Sequence, residues 1–185
     1  GVLTTAVDHG MSVDSFCPPT GELQQIIDDQ LRQHGPPATD AERDGLRAFL
    51  TEYVLPSFIE SDLWTQLNRA DEVYVETCLR SHVRRDGVEF EIEGKADFVL
   101  RTPDGSWTIT DLKIALTDPT PETRHRYQVQ VACYAWLLAT TLDVDDPTAI
   151  TTAVETFGAV TDRTVDVLSP SVVLDRLDQF LNGGA

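Results

Sequence analysis

Three charged residues on two consecutive predicted strands have the types and spacing that phosphodiester cleavage requires. Asp97 lies near the end of a strand predicted for 90–100, where apolar residues at most even positions alternate with charged ones. Asp111 and Lys113 lie two residues apart on the next predicted strand, 107–114, so their side chains leave the same face. Two acids can hold a charge-neutralising metal, and a lysine beside it can orient water or stabilise a developing oxyanion.

The turn between these strands predicts how they pair. A loop over 102–106 contains strong turn chemistry and pairs Arg101 with Trp107. Asp97 then lies opposite Asp111, with Cβ atoms roughly 4.5–5.5 Å apart. A divalent cation such as Mg²⁺ or Mn²⁺ between the two carboxylates would remove their repulsion. A slip of one residue would place them on opposite faces.

Lysine usage adds weight to the motif. The chain has two lysines, Lys95 and Lys113, among 14 basic residues, and the predicted register places them opposite each other. A lysine in a chain that otherwise uses arginine indicates point-charge chemistry. An Asp-x-Lys alone is weak, because an exposed hairpin with solvated charges also produces it.

A helix predicted for 121–141 contributes further polar groups. Gln130 and Tyr134 are four residues apart and therefore neighbours on its surface. Arg124 and Arg126 lie near its N-terminus, where the helix dipole favours anions. This positive cluster predicts phosphate contact, and an ordinary surface cluster is the alternative.

In this order the motifs resemble the PD-(D/E)xK nuclease superfamily. The closer resemblance is to the RecB-type exonuclease domain at the C-terminus of UvrD/Rep-like helicases and in AddAB and RecBCD subunits. The matching residues are Gly94-Lys95-Ala96-Asp97, Asp111-Leu112-Lys113, and Gln130 with Tyr134. The resemblance covers about 71–168. It implies an α/β fold with a restriction-endonuclease-like core, a mixed sheet of about five strands flanked by helices.

The resemblance also implies roles for these residues. Asp97 and Asp111 would bind Mg²⁺ or Mn²⁺ together with the Leu112 backbone carbonyl, and Lys113 would position or activate the water. The Gln-x-x-x-Tyr pair would orient the substrate. The expected activity is metal-dependent DNA cleavage, exonucleolytic, in repair or recombination.

Two further metal ligands are predicted by position. The resembled family has a metal-binding His on a helix before the core, for which His9 is the candidate, with a surface histidine near the terminus as the alternative. Glu76, on a strand predicted for 72–83, resembles the family's acidic first-strand position. Its alternative is a half-exposed strand residue.

The length of 185 residues fits one domain. We predict a helical N-terminal part at 1–70, a motif-bearing core at 71–168, and a C-terminal helix and tail at 169–185. The predicted N-terminal helices span 21–34, 39–54 and 57–68, with Pro56 interrupting them. Further strands are predicted at 149–160 and 164–168. The chain does not begin with Met, so we expect a piece of a larger helicase–nuclease.

The motifs that the sequence lacks, together with the resemblance, predict its partners, its location and one absent cofactor. There is no Walker A motif, so helicase motor domains are expected elsewhere in the same chain or in a partner chain. No long apolar run or signal peptide pattern occurs, which predicts a cytoplasmic protein without a membrane span. Three scattered cysteines cannot supply the four ligands of the iron–sulfur cluster that some relatives hold, so no cluster is expected.

The charge of −17 is unusual for a DNA-binding enzyme. A high-salt cytoplasm would screen the repulsion, because the Debye length is roughly 3 Å at 1 M salt, and we interpret the composition as halophilic. Two other functions stay open. One is a non-catalytic nuclease-fold module of a repair complex, and the other is an acidic adaptor with chance motifs.

Overall fold

The computed structural model describes residues 1–12, 14, 16, 19–34, 39–85, 87–115, 119–142, 149–158 and 162–164. The described helices are α1 (Val2–Asp8), α2 (Gly21–His34), α3 (Asp40–Phe49), a π-helical turn (Leu50–Val54), α4 (Leu55–Ile59), α5 (Asp62–Arg69) and α6 (Pro121–Leu142). The described strands are β1 (Glu72–Arg85), β2 (Val88–Arg101), β3 (Trp107–Ala115), β4 (Thr151–Gly158) and β5 (Asp162–Thr164). The predicted C-terminal helix at 169–185 and the strand residues 165–168 lie outside the described residues.

The chain divides into two compact units. The first contains Gly1–Arg69 and, farther along the chain, segments that begin at Lys113 and Thr156; the second contains Ala70–Leu112 and Pro119–Glu155. The boundary falls within β3, between Leu112 and Lys113. The first unit packs around aromatic rings: Phe16 lies 5.9 Å from Phe58 and 5.2 Å from Trp64, measured between ring centroids.

Helix α3 begins where the sequence predicts. Thr39 accepts a 3.3 Å hydrogen bond from the Glu42 N–H, and the Glu42 carboxylate accepts one of 2.7 Å from the Thr39 N–H. This reciprocal pair satisfies two N–H groups that a helix start leaves without intrahelical partners. Helix α2 has the predicted bounds.

One prediction for the N-terminal part was wrong. Pro56 does not interrupt the helix, because the π-helical turn Leu50–Val54 leads directly into α4, where Pro56 lies in the first turn. A wider turn spaces the backbone differently from an α-helix and accommodates a residue that has no N–H to donate. The bounds of helix α1 were not predicted, because its sequence lacks clear amphipathic spacing, yet Val2, Leu3 and Ala6 are buried.

The five described strands form one sheet in the order β1-β2-β3-β4-β5. Strands β1, β2 and β3 form an antiparallel meander. Helix α6 connects β3 to β4, its neighbour in the sheet. The α/β fold class with a mixed sheet is confirmed.

Helix α6 packs on β1 and β2 of the second unit. Apolar side chains from these elements and from the start of β4 form its core: Leu79, Ala96, Val99, Ile109, Val131, Tyr134, Ala135, Leu137, Leu138, Ala139, Ile150 and Val154. Ala96 and Val99 share this core although they are three residues apart on β2. The side-chain alternation predicted for this strand is therefore interrupted between them, where Asp97 lies.

Among the residues that the structure describes, no helix is both long enough and apolar enough to cross a membrane.

The turn between β2 and β3 is held by one carboxylate. Asp104 accepts hydrogen bonds from the Thr102 hydroxyl (2.5 Å) and the Ser106 N–H (3.0 Å), and Gly105 has a φ of +85° that favours glycine. The Thr102 hydroxyl and then the Ser106 N–H lower the pKa of Asp104 to about 2. The charged carboxylate is therefore the form that stabilises the turn.

We expect D104A to lose a pH-dependent contribution to stability. The folded pKa is below the unfolded value of about 3.9, so the contribution is complete at neutral pH and is lost as the pH falls from about 4 toward 2. Urea unfolding of the wild type and D104A should show a constant free-energy difference from pH 7 to 5 that shrinks below pH 4. A difference that stays constant down to pH 3 would contradict this.

Candidate active site

The pairing of β2 with β3 has the predicted register. Arg101 pairs with Trp107, and the ladder continues to Phe98 and Thr110. Asp97 and Asp111 lie one step beyond this last pair. The β2–β3 ladder ends at Phe98 and Thr110, so the predicted pair of Lys95 with Lys113 is not part of it. On its other side β2 pairs with β1 along its whole length, where Lys95 faces Cys78.

Where the backbone pairing of β2 with β3 ends, the Asp97 side chain takes the place of a backbone acceptor. The Leu112 N–H donates a 2.7 Å hydrogen bond to Oδ2 of Asp97. This contact places the Asp97 carboxylate beside the backbone that follows Asp111, whose side chain is only 3% exposed. The structure therefore brings the two predicted acids and Leu112 together.

Glu76 of β1 lies between the pairs that join Val75 to Phe98 and Thr77 to Ala96, as Asp97 does on β2. Its φ of +48° lies in the left-handed region, where non-glycine residues are uncommon. Such a conformation costs on the order of 1–3 kcal/mol and persists only where its surroundings impose it.

The Glu76 carboxylate accepts a hydrogen bond from the Lys95 ammonium. This bond and the charge of Glu76 raise the pKa of Lys95, and Asp97 raises it further. Lys95 therefore carries positive charge within the electrostatic reach of Asp97. Sequence patterns did not indicate this pair, because it joins two strands through residues that are far apart along the chain.

Gln130 and Tyr134 contact each other as their helical spacing predicts. The Gln130 amide donates a 2.8 Å hydrogen bond to the Tyr134 hydroxyl. Burial raises the pKa of the Tyr134 phenol, the Gln130 bond lowers it, and the carboxylates of Asp111 and Asp97 raise it. Tyr134 is thus a neutral phenol at pH 7 whose ring lies close enough to both acids to feel their charge.

The other predicted site residues are Lys113 on β3 and Arg124 and Arg126 near the start of α6. Lys113 follows Asp111 by two residues on β3 and is half-buried. Arg124 donates to the Pro119 carbonyl at 3.2 Å, and Arg126 lies 3.8 Å from Glu122. Thr120 caps α6, because its hydroxyl accepts a 3.2 Å hydrogen bond from the Thr123 N–H.

His9 belongs to the first unit, and its Nδ1 lies 3.8 Å from the carboxylate of Glu22. A metal role for it stays a prediction. In the described part of the chain, no three His, Cys, Asp or Glu side chains converge into a ligand group. The three acids predicted as ligands, Glu76, Asp97 and Asp111, belong to the second unit, and Asp111 is buried.

This donor set fits Mg²⁺ better than a metal held by an all-protein cage. Mg²⁺ prefers oxygen ligands and usually binds through one or two carboxylates, with waters and substrate phosphate oxygens completing its shell. Because the Leu112 bond engages Oδ2 of Asp97, the other carboxylate oxygen is the one suited to a cation. Two acids placed together, one of them buried, also favour a positive partner electrostatically.

Comparisons with known proteins give one family. A sequence model of the PD-(D/E)XK nuclease superfamily matches residues 15–169. A candidate exonuclease from Eubacterium rectale has a similar structure over 97% of this chain and 64% of its own, with 16% identity and a TM-score of 0.48. A protein called SSO0001 is similar over 87% of this chain and 64% of its own, with 13% identity and a TM-score of 0.44.

This chain therefore spans less than two thirds of the length of both structures. A comparison with curated proteins gave no match.

The Asp97–Leu112 hydrogen bond predicts different effects for two substitutions. D97A leaves a partly buried N–H without its acceptor and should cost about 1–3 kcal/mol, measured as the free energy of unfolding in urea. D97N keeps an oxygen that can accept the same bond, so it should be less destabilising. Equal losses in both variants would show that the hydrogen bond does not stabilise this position.

Proposed function

Because the chain belongs to the PD-(D/E)XK nuclease superfamily, we propose that it is a metal-dependent DNA nuclease of the RecB type. Its action is exonucleolytic, and it serves repair or recombination as the nuclease module of an ATP-dependent helicase. The observation that carries this proposal is the placement of Asp97 beside Leu112 and the buried Asp111. The helicase motor lies elsewhere in a larger chain or in a partner.

The metal site consists of Asp97, Asp111 and the Leu112 backbone carbonyl. Bound Mg²⁺ or Mn²⁺ supplies charge neutralisation at the scissile phosphate and acidifies a water ligand. The Leu112 N–H keeps the Asp97 carboxylate in place before substrate arrives. That preorganisation reduces the rearrangement needed when charge develops.

Lys113 and the Gln130–Tyr134 pair act on the substrate. In hydrolysis the water oxygen bonds to phosphorus as the bond to the leaving oxygen breaks. The Lys113 ammonium orients that water and stabilises the developing negative charge. Since the Tyr134 hydroxyl accepts a bond from Gln130, its own proton is available to donate to a phosphate oxygen. Arg124 and Arg126 supply positive charge for the DNA backbone at the start of α6.

The charge of −17 bears on where this enzyme works. Uniform negative charge repels DNA at low salt. We therefore place the protein in the high-salt cytoplasm of a halophile, where screening over roughly 3 Å at 1 M salt removes long-range repulsion. Local cations near the motif then decide binding.

A non-catalytic nuclease-fold module is the second candidate, because the described side chains include no three-ligand metal group. Such a module would bind DNA or a repair partner without cleaving. It differs from the nuclease in one measurable respect, the dependence of cleavage on metal and on Lys113.

The decisive experiment is cleavage of end-labelled single- and double-stranded DNA in high KCl. With Mg²⁺ or Mn²⁺ the 185-residue chain should release labelled nucleotides from an end, and EDTA should abolish release. D111N and K113M should each lower kcat at least about 100-fold, because each removes a group that acts on the reacting phosphate.

E89Q is the matched control, since Glu89 is an exposed carboxylate on β2 that lies 3.9 Å from His82. Its rate should equal the wild-type rate. If wild type and D111N show the same absence of cleavage with folded protein in every metal, the chain is the non-catalytic module. Metal-independent cleavage would contradict both proposals.

A further inference from the structure

Gly94 lies on β2 directly against the ring of Tyr134. A Cβ atom at Gly94 would lie 2.6 Å from Cε1 and 2.9 Å from Cδ1 of that ring, closer than real Cβ contacts occur. It would also lie 3.2 Å from Cδ1 of Leu137, one turn along α6. The side chain of any other residue at this position would therefore displace the ring or the helix.

Gly94 is explained by the lack of room for a side chain beside Tyr134, and not by its backbone conformation. The glycines with positive φ among the described residues are Gly10, Gly87 and Gly105, so the backbone of Gly94 suits other residues. Glycine weakens a strand interior, and its presence there marks a close approach of another group. Here the approaching group is an aromatic side chain that carries a hydroxyl.

The depth of the ring determines where that hydroxyl lies. Tyr134 is 8% exposed, and its hydroxyl is held by Gln130 at 2.8 Å. The charges of Asp97 and Asp111 both raise the pKa of the phenol, so the hydroxyl lies within electrostatic reach of the two acids. A ring lifted off β2 would carry its hydroxyl away from them.

We propose that Gly94 is a positioning residue for catalysis: its missing side chain lets the Tyr134 ring lie against β2 and present its hydroxyl at the Asp97–Asp111 site. This inference rests on the proposed nuclease function. It assigns to Gly94 an effect on the reaction that passes entirely through Tyr134.

A double-mutant cycle tests this dependence in the 185-residue chain. G94A should lower kcat/KM about 100-fold, the scale that a misplacement of about 1 Å can produce. Y134A should also lower it, and G94A/Y134A should be no slower than Y134A, because the added methyl then has no ring to displace. A further 100-fold loss in the double variant, on the order of the loss expected from G94A alone, would overturn the proposal.

Y134F separates positioning from stability. The phenylalanine ring still collides with the methyl group that G94A adds, so G94A should destabilise the Y134F protein in urea as much as it destabilises wild type. Cleavage by Y134F, which has no hydroxyl to misplace, should fall less than threefold on adding G94A. A loss that follows stability in this background would instead assign Gly94 a merely structural role.

G45A is the matched control, because a Cβ at Gly45 of α3 meets nothing within 4 Å. Its cleavage should equal that of wild type. If wild type does not cleave DNA, the proposed function fails. The Gly94–Tyr134 contact is then tested by urea unfolding alone, with the free energies of unfolding of wild type, G94A, Y134A and G94A/Y134A. Destabilisation by G94A that disappears in Y134A would support the Gly94–Tyr134 contact, and equal destabilisation in both backgrounds would overturn it.

Discussion

The hydrogen bond from the Leu112 N–H to Oδ2 of Asp97 lies where two strands of the sheet separate. On one side of it, β2 and β3 pair through their backbones, and on the other their ladder has ended, while β2 pairs with β1 on both sides. A buried or half-buried N–H at such a fork needs an acceptor, and here the acceptor is a carboxylate. The same bond fixes an acid beside the backbone of the strand that carries Asp111. The single hydrogen bond from Leu112 therefore both satisfies the backbone where β2 and β3 stop pairing and positions the Asp97 carboxylate.

Local rules predicted much of this arrangement from the sequence. Turn residues at 103–106 and period-two alternation indicated the β2–β3 register. Thr39 and Asp40 were both capping candidates for the helix predicted at 39–54, and Thr39 is the cap of α3. Helical spacing indicated the Gln130–Tyr134 contact. Each of these features depends on residues that are close in sequence or that belong to one hairpin. The types and spacing of those residues are therefore enough to predict it.

Features that depend on which elements meet were not predictable in this way. The Lys95–Glu76 bond joins residues that do not face each other in the β1–β2 register, where Lys95 pairs with Cys78. The approach of Tyr134 to Gly94 requires knowing where α6 lies on β2. Helix α1 lacks an amphipathic pattern, and Pro56 follows a π-helical turn that periodicity does not indicate. These contacts around the motif residues were therefore not predicted from the sequence.

Departures from ordinary strand rules concentrate around Asp97. Gly94 weakens a strand interior, Glu76 takes a left-handed conformation, and Asp111 is a nearly fully buried acid. Each lowers stability by itself, and sequences that only had to fold would avoid all three. The lysines lie in the same region. The chain has a net charge of −17, and each of its two lysines lies two residues from a motif aspartate, Asp97 or Asp111. Since unfavourable conformation, buried charge and scarce cations coincide at one place, chemistry there accounts for them better than folding does.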